Sequence, residues 1–294
     1  MLEVNRLSHS FAGKVAVDDL SLSVDRGEIV GLVGRNGAGK TTTMRAIMGI
    51  LDPDSGSIVW DGRPITRSDR ITFGYMPEER GLYPNMTIRS QVKYFAHLHG
   101  LTGKELDTSV DRWISRLGLE EKQAAKLQTL SHGNQQRAQL AVSLVHNPVL
   151  TILDEPFSGL DPIAVDSMCE LLVDQAQEGK GVLFSSHQLE LVERICNRVV
   201  MVEEGVVRAS GTLSQLKSTE AGQLRVQFAG SIDWEPILDG VQVSRRGPEG
   251  IYFKLASPDL AQAVLRQALE VGEIIHFGFE FATLAEIYRT MINS

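Results

Sequence analysis

The chain has 294 residues and a formal charge of −8, from 29 basic and 37 acidic side chains. That length accommodates one large domain and a small one, and the acidic balance removes any global basic field for holding nucleic acid or anionic lipid. The cysteines, Cys169 and Cys196, lie far apart without metal-ligand spacing, a pattern that suits buried free thiols in a reducing compartment. The opening MLEVNRLSHSF lacks a charged segment followed by an apolar one, and no run of about 18 apolar residues occurs. Neither a secretory signal nor a membrane span is expected, and the reading is a cytoplasmic protein that reaches a membrane only through a partner.

In chain order, Leu2–Leu7 and Val15–Val24 alternate apolar and polar residues and read as strands, with Phe11 in the short turn SHSFAGK between them. An aromatic in such a turn either stacks on a purine ring or fills a packing role. Glu28–Val33 gives a third, buried strand that breaks into GRNGAGKTT, Gly34 to Thr42, and then into the helix TTTMRAIMGIL. This is the pattern of a phosphate-binding loop. Gly34, Gly37 and Gly39 are read as taking positive φ, so that backbone N–H groups approach an anion without a clashing Cβ. The other loop members, Arg35, Asn36 and Ala38, offer their N–H groups to the same anion, Lys40 reaches the terminal phosphates, and the Thr41 hydroxyl is a magnesium ligand with Thr42 beside it. The helix start adds its positive dipole end. A chance glycine-rich turn is the competing explanation, and the strand-before, helix-after context argues against it.

Downstream, Asp52–Gly56 is a turn, SIVWDG a strand, and Ile71–Met76 a further strand stopped by Pro77. The polar loop EERGLYPNMT leads into two helical runs, Ile88 to about His99 and about Lys104 to Leu117, which interrupt the sheet pattern and form a helical lobe over about 78–148. In LQTLSHGNQQRAQLAVSLVHNP, Ser131 is read as the N-cap of a helix that runs to about His146. Val149–Pro156, VLTILDEP, is an apolar strand ending in two carboxylates, at the strand end where open α/β sheets hold their ligands. Asp154 suits the water shell of a magnesium ion and Glu155 the polarisation of an attacking water. SGLDP turns into another helix, and GVLFSSH is a buried strand ending on His187, either a donor at a phosphate or a structural cap. The hairpin NRVVMVEEGVVRASG closes a domain spanning 1–217. From about Gln223 the strands LRVQF, VQVSR, IYFKL and EIIHFGF, with helices Pro258–Val271 and Thr283–Ile292, read as a small α+β domain over 223–294 without a catalytic constellation.

The ordered series of aromatic turn, GxxxxGKT loop, PEER loop, LSHGN, LDEP, SGLD and strand-end histidine closely resembles the ATP-binding subunit of ABC transporters, over about residues 1–217. The resemblance implies an α/β fold with a mixed sheet core, a helical subdomain and an antiparallel β part. It further implies ATP and Mg²⁺ as cofactors, with Phe11 stacking on adenine, Glu155 the general base and His187 the switch residue at the γ-phosphate. LSHGN departs from the family's LSGGQ at His132 and Asn134. Ser131 and Gly133 remain, and the resemblance assigns them to the γ-phosphate of ATP held by the other subunit of a head-to-tail homodimer, with Asp161 in the turn that crosses the interface. Glu78 stands where the family has a glutamine near Mg²⁺, and coupling to the membrane subunit is the role expected for it.

The GYMPEERGLYP and LSHGNQQ variants, with the appended C-terminal domain, resemble an exporter-type subfamily that includes sodium-efflux and antibiotic-resistance ATPases. The expected partners are a separately encoded transmembrane permease and a second copy of the chain, with no nucleic acid, and the expected location is the cytoplasmic face of the membrane. A DNA-maintenance clamp would bring long coiled coils or tandem ATPase copies, and a phosphate-loop GTPase or kinase would bring a base-reading or acceptor motif. The sequence carries neither.

Overall fold

The computed structural model describes residues 1–79, 81–218, 222–230 and 232–293, so Arg80, the end of the PEER loop, lies outside the described residues. The chain divides into two compact units, Met1–Leu213 and Ser214–Ser294.

The first unit opens with β1 (Leu2–Phe11) and β2 (Lys14–Val24), then β3 (Ile29–Val33) and α1 (Lys40–Ile47). There follow β4 (Ser55–Trp60), β5 (Arg63–Pro64), α2 (Arg67–Ile71) and β6 (Phe73–Met76). Two sequence expectations shift here. The helix after the phosphate loop ends at Ile47, with Gly49 in the left-handed region at φ 68°, instead of running to Leu51. Ile71 belongs to α2, whose capping box between Thr66 and Asp69 wins a short helix from a stretch read as strand, leaving β6 to begin at Phe73.

The helical part comprises α3 (Ile88–Leu98), α4 (Gly103–Arg116) and α5 (His132–Leu144), packed around Val92, Val110 and Trp113. The chain returns to the core through β7 (Leu150–Leu153), α6 (Pro162–Gln177), β8 (Gly181–Ser186), α7 (Leu189–Ile195), β9 (Arg198–Glu203) and β10 (Val206–Thr212), and α8 (Leu213–Ser218) follows. Two sheets result, an antiparallel one ordered β2-β1-β4-β5 and a mixed one ordered β10-β9-β3-β8-β7-β6. In the mixed sheet β3 pairs parallel with β8 and β9, β8 with β7, and β7 with β6. The strands β3, β7 and β8 are buried along their whole length, which is why they read as unbroken apolar runs. One apolar core joins both sheets to the inner face of α1, with Leu2, Leu20, Leu32, Met44, Ile47, Phe73, Ile152 and Leu183 in it. Cys169 and Cys196 are buried and free.

A pair of histidines ties the helices to the end of α2 and the start of β6. His99 follows α3 and donates Nδ1–H to the Ile71 carbonyl at 3.0 Å, while His146 follows α5 and donates Nε2–H to the Phe73 carbonyl at 3.0 Å. Their rings stack with centroids 3.6 Å apart.

The second unit contains β11 (Gln223–Phe228), β12 (Val241–Gly247), β13 (Gly250–Leu255), α9 (Leu260–Val271), β14 (Ile274–Glu280) and α10 (Leu284–Asn293). Its strands form one antiparallel sheet ordered β12-β13-β11-β14. Leu224, Val226, Ile251 and Phe253 on one face of this sheet pack with Ala261, Val264 and Ala268 of α9.

The histidine pair makes the first unit acid-sensitive. Burial, with the neighbouring His99, pushes His146 down to about 4 from its ordinary 6.5, and burial also lowers His99. The unfolded chain therefore takes up these protons first, and folding stability falls as pH drops from 6.5 towards 4. For a shift of this size the contribution of His146 is on the order of 3 kcal/mol. Urea unfolding at pH 7 and pH 4.5 measures it: His146→Phe, which keeps a ring against His99 but cannot titrate, loses markedly less stability on acidification than the parent chain.

Candidate functional site

The parallel pairing of β3, β8, β7 and β6 delivers the segments that follow them to one edge of the sheet. After β3 comes Gly34–Gly39, after β8 His187, after β7 Asp154 and Glu155, and after β6 Pro77 and Glu78.

Within the loop Gly37 and Gly39 have φ of 83° and 102°, as expected. Gly34 does not take positive φ. It must be glycine because a Cβ there would sit 2.3 Å from the Val202 carbonyl oxygen of neighbouring β9, so it serves close packing and the turn itself rests on the other two. Gly39 combines both demands, since its Cβ would lie 2.5 Å from the Ala16 carbonyl of β2. Arg35 and Asn36 are exposed at the loop's crest, Ala38 is buried at its base, and Thr41 and Thr42 are half-buried in the first turn of α1.

Lys40 is 6% exposed. Its ammonium donates to the carbonyls of Gly34 at 2.8 Å and Arg35 at 3.3 Å and lies 3.4 Å from Glu155 Oε1. His187 Nδ1 lies 2.9 Å from Glu155 Oε2, and because a carboxylate only accepts, Nδ1 carries the proton. The structure thus joins Lys40, Glu155 and His187 into one chain of contacts. Asp154 is completely buried, accepts from the Ser185 hydroxyl at 2.6 Å on Oδ1, and has no hydrogen-bond partner on Oδ2 among the described residues. Glu155 Oε1 likewise has none among them and faces the lysine. Buried carboxylate oxygens left open in this way fit a hard divalent cation such as magnesium.

A second cluster holds Ser131, Gly133 and Asp161. Ser131 occupies the N-cap position of α5 without capping it by its side chain: the hydroxyl accepts from Asn134 Nδ2 at 2.8 Å. The expected cap is therefore replaced by a side-chain pair, because Asn134 competes for the hydroxyl. Asp161 caps α6, its Oδ1 accepting from the Ala164 N–H at 2.9 Å. The SGLD turn and the LSHGN helix touch, with Gly133 facing Leu160 and the His132 ring lying over Gly159. Phe11, at the end of β1, is 49% exposed and meets His9 edge-on at 4.6 Å, and Glu78 is exposed.

Two glutamines and a serine not singled out in the sequence complete the arrangement. Gln136 and Gln139 of α5, both buried, donate to the Pro156 carbonyl at 3.0 Å and the Pro77 carbonyl at 2.7 Å, tying that helix to the segments after β7 and β6. Ser185 joins Asp154 to Glu155. A polar residue on an otherwise apolar stretch is the signal for Gln139 in AQLAV and for Ser185 in LFSSH, whereas Gln136, inside the polar run SHGNQQ, carries none.

A glycine-rich loop between a buried parallel strand and a helix, with a lysine and strand-end acids beside it, defines a phosphate-loop nucleotide hydrolase. The ABC transporter family profile matches residues 17–158. The chain is 35% identical to the ABC transporter ATP-binding protein YhaQ of Bacillus subtilis, over 100% of this chain and 99% of that one. It is 38% identical to the Nod factor export ATP-binding protein I of Paraburkholderia xenovorans, over 75% of this chain and 74% of that one. A solved ATP-binding subunit of an ABC transporter superposes with a TM-score of 0.69 at 33% identity, covering 74% of this chain and 92% of that one. The chain belongs to the ATP-binding proteins of ABC transporters, and its reaction is the conversion of ATP and water to ADP and phosphate.

The contact between the two motifs is testable by stability. Gly159 has φ 69°, and a Cβ there would meet the His132 ring at 2.9 Å. Gly159→Ala costs about 1–2 kcal/mol from backbone strain alone and more from the displaced ring. In a double-mutant cycle by urea unfolding, His132→Ala recovers part of that cost, with a coupling of about 0.5 kcal/mol or more.

Proposed function

We propose that this chain is the motor subunit of an exporter: two copies close head-to-tail around two Mg-ATP molecules, hydrolyse them and reopen, and a separate membrane-embedded permease converts that cycle into transport. The observation that carries the reading is the convergence of Lys40, Asp154, Glu155 and His187 at one sheet edge beside the phosphate loop.

In this reading the N–H groups of Gly34 to Thr42 and the Lys40 ammonium hold the β- and γ-phosphates, while Phe11 stacks on adenine from its exposed position. Magnesium, held by Asp154, Thr41 and the exposed Glu78, supplies charge neutralisation to the phosphates. Glu155 orients the water that attacks in line, and His187, which donates Nδ1–H to that carboxylate, is the switch residue that senses the γ-phosphate. The Ser131–Asn134 pairing leaves the first N–H groups of α5 unused by the Ser131 side chain, which suits them to the γ-phosphate of ATP on a second copy. Closure follows because the γ-phosphate favours the closed dimer, and hydrolysis removes that preference.

The permease reading is supported by two features. Among the described residues no helix is long and apolar enough to cross a membrane. Beyond Glu78, Tyr83, Tyr94 and Leu98 form an exposed apolar ridge on the helical part, with Tyr83 and Tyr94 in edge contact at 5.9 Å. Export as the direction rests on likeness to the Nod factor export protein. Because the cycle consumes ATP, this reading puts the chain at the cytoplasmic face, where ATP is found.

The test combines kinetics and size. Glu155→Gln lowers the hydrolysis rate by about a hundredfold or more, and on size-exclusion chromatography this variant moves from monomer to dimer with Mg-ATP. Adding Ser131→Arg abolishes the shift. A monomer throughout, with ATP bound, contradicts the head-to-tail motor.

A further inference from the structure

Strand β8 is apolar for four residues, Gly181–Phe184, and then carries two serines buried in the sheet. A buried hydroxyl is costly unless it is hydrogen-bonded, so each has to be accounted for. Alternation sends the two side chains to opposite faces. Ser186 accepts from the Gln188 N–H at 2.9 Å and so braces the turn that carries His187. Ser185 is engaged on the other side. Its hydroxyl donates to Asp154 Oδ1 at 2.6 Å and accepts from the Glu155 N–H at 2.8 Å.

The direction of both bonds is fixed by chemistry. Serine has one hydroxyl proton, a carboxylate accepts, and a backbone N–H donates. One side chain thereby touches both strand-end acids. The consequence for Asp154 is that its carboxylate is pinned by Oδ1, so that Oδ2 is the oxygen left without a hydrogen-bond partner among the described residues. The consequence for Glu155 is conformational. This residue has φ 49°, in the left-handed region that non-glycine residues adopt at a cost. The Ser185 bond to its N–H holds the backbone there, and that conformation brings its carboxylate to Lys40 and His187.

We propose that Ser185 is a positioning residue for ATP hydrolysis, which sets Asp154 towards the divalent cation and Glu155 towards the attacking water through one shared hydroxyl. The inference rests on the roles given above to Asp154 and Glu155. It separates Ser185 from a residue that merely fills the sheet, because a filling role requires the volume and not the proton.

Three variants of the full chain test it. Ser185→Ala removes both bonds, Ser185→Thr keeps the hydroxyl, and Ser185→Cys keeps the volume with a weaker donor. Steady-state hydrolysis and the Mg²⁺ dependence of binding a fluorescent ATP analogue are measured for each. In Ser185→Ala the turnover number falls by about ten- to a hundredfold and the half-saturating Mg²⁺ concentration rises by about tenfold, as for loss of a residue that orients a metal ligand. The analogue's affinity without Mg²⁺ stays close to that of the parent chain. Ser185→Thr restores turnover and Mg²⁺ dependence together. If Ser185→Ala folds and keeps both values near the parent's, the proposal is overturned. If it does not fold, Ser185→Cys decides: reduced turnover with a raised Mg²⁺ requirement supports the proposal, and parental values overturn it. Absence of Mg²⁺-dependent binding in the parent chain is a separate result, which overturns the reading of Asp154 and with it this inference.

Discussion

Asp154, Glu155 and Lys40 are removed almost wholly from solvent at one edge of the mixed sheet, where the Lys40 ammonium lies 3.4 Å from Glu155 Oε1. Burying such groups is expensive unless charge and hydrogen-bonding capacity are met. Some of that demand is met internally, by His187 on Glu155 and by Ser185 on Asp154. One oxygen of each acid remains without a hydrogen-bond partner among the described residues. A site built this way is incomplete in charge, and a cation with an anionic substrate is the chemistry that completes it.

The fold serves this placement. Parallel strands buried on both faces put their C-terminal ends in register, so that four successive connections contribute to one edge. Close approach of β3 to its neighbours requires Gly34, and close approach of the loop to β2 requires Gly39. α5 is then held against the same edge by Gln136 and Gln139, whose amides reach the carbonyls of Pro156 and Pro77. These hydrogen bonds connect α5 to the segments that carry Glu155 and Glu78.

Much of this was legible in the sequence because the strongest signals are local. Unbroken apolar runs gave the strands of the mixed sheet, and the ordered series of motifs from the aromatic turn to the strand-end histidine gave the family. Local reading failed where tertiary partners decide. Gly34 looks like a turn glycine, yet Val202 on another strand sets its identity. Ser131 is a different case, since it sits at the cap position and a local side chain, Asn134 three residues on, takes its hydroxyl. The histidines after α3 and α5 are 47 residues apart in sequence (146 − 99) and become a pair only through the packing of helices on β6. Ser185 was passed over because its partners lie 30 and 31 positions away.

The account stands on the unpartnered oxygen of Asp154 as the seat of a divalent cation. Titration calorimetry of ATP with and without Mg²⁺, on the parent chain and on Asp154→Asn, addresses it directly. The account predicts that Mg²⁺ tightens ATP binding to the parent chain by about tenfold or more, and that this gain is lost in Asp154→Asn while Mg²⁺-free affinity holds or improves as a buried negative charge is removed. An equal gain from Mg²⁺ in both proteins would contradict it.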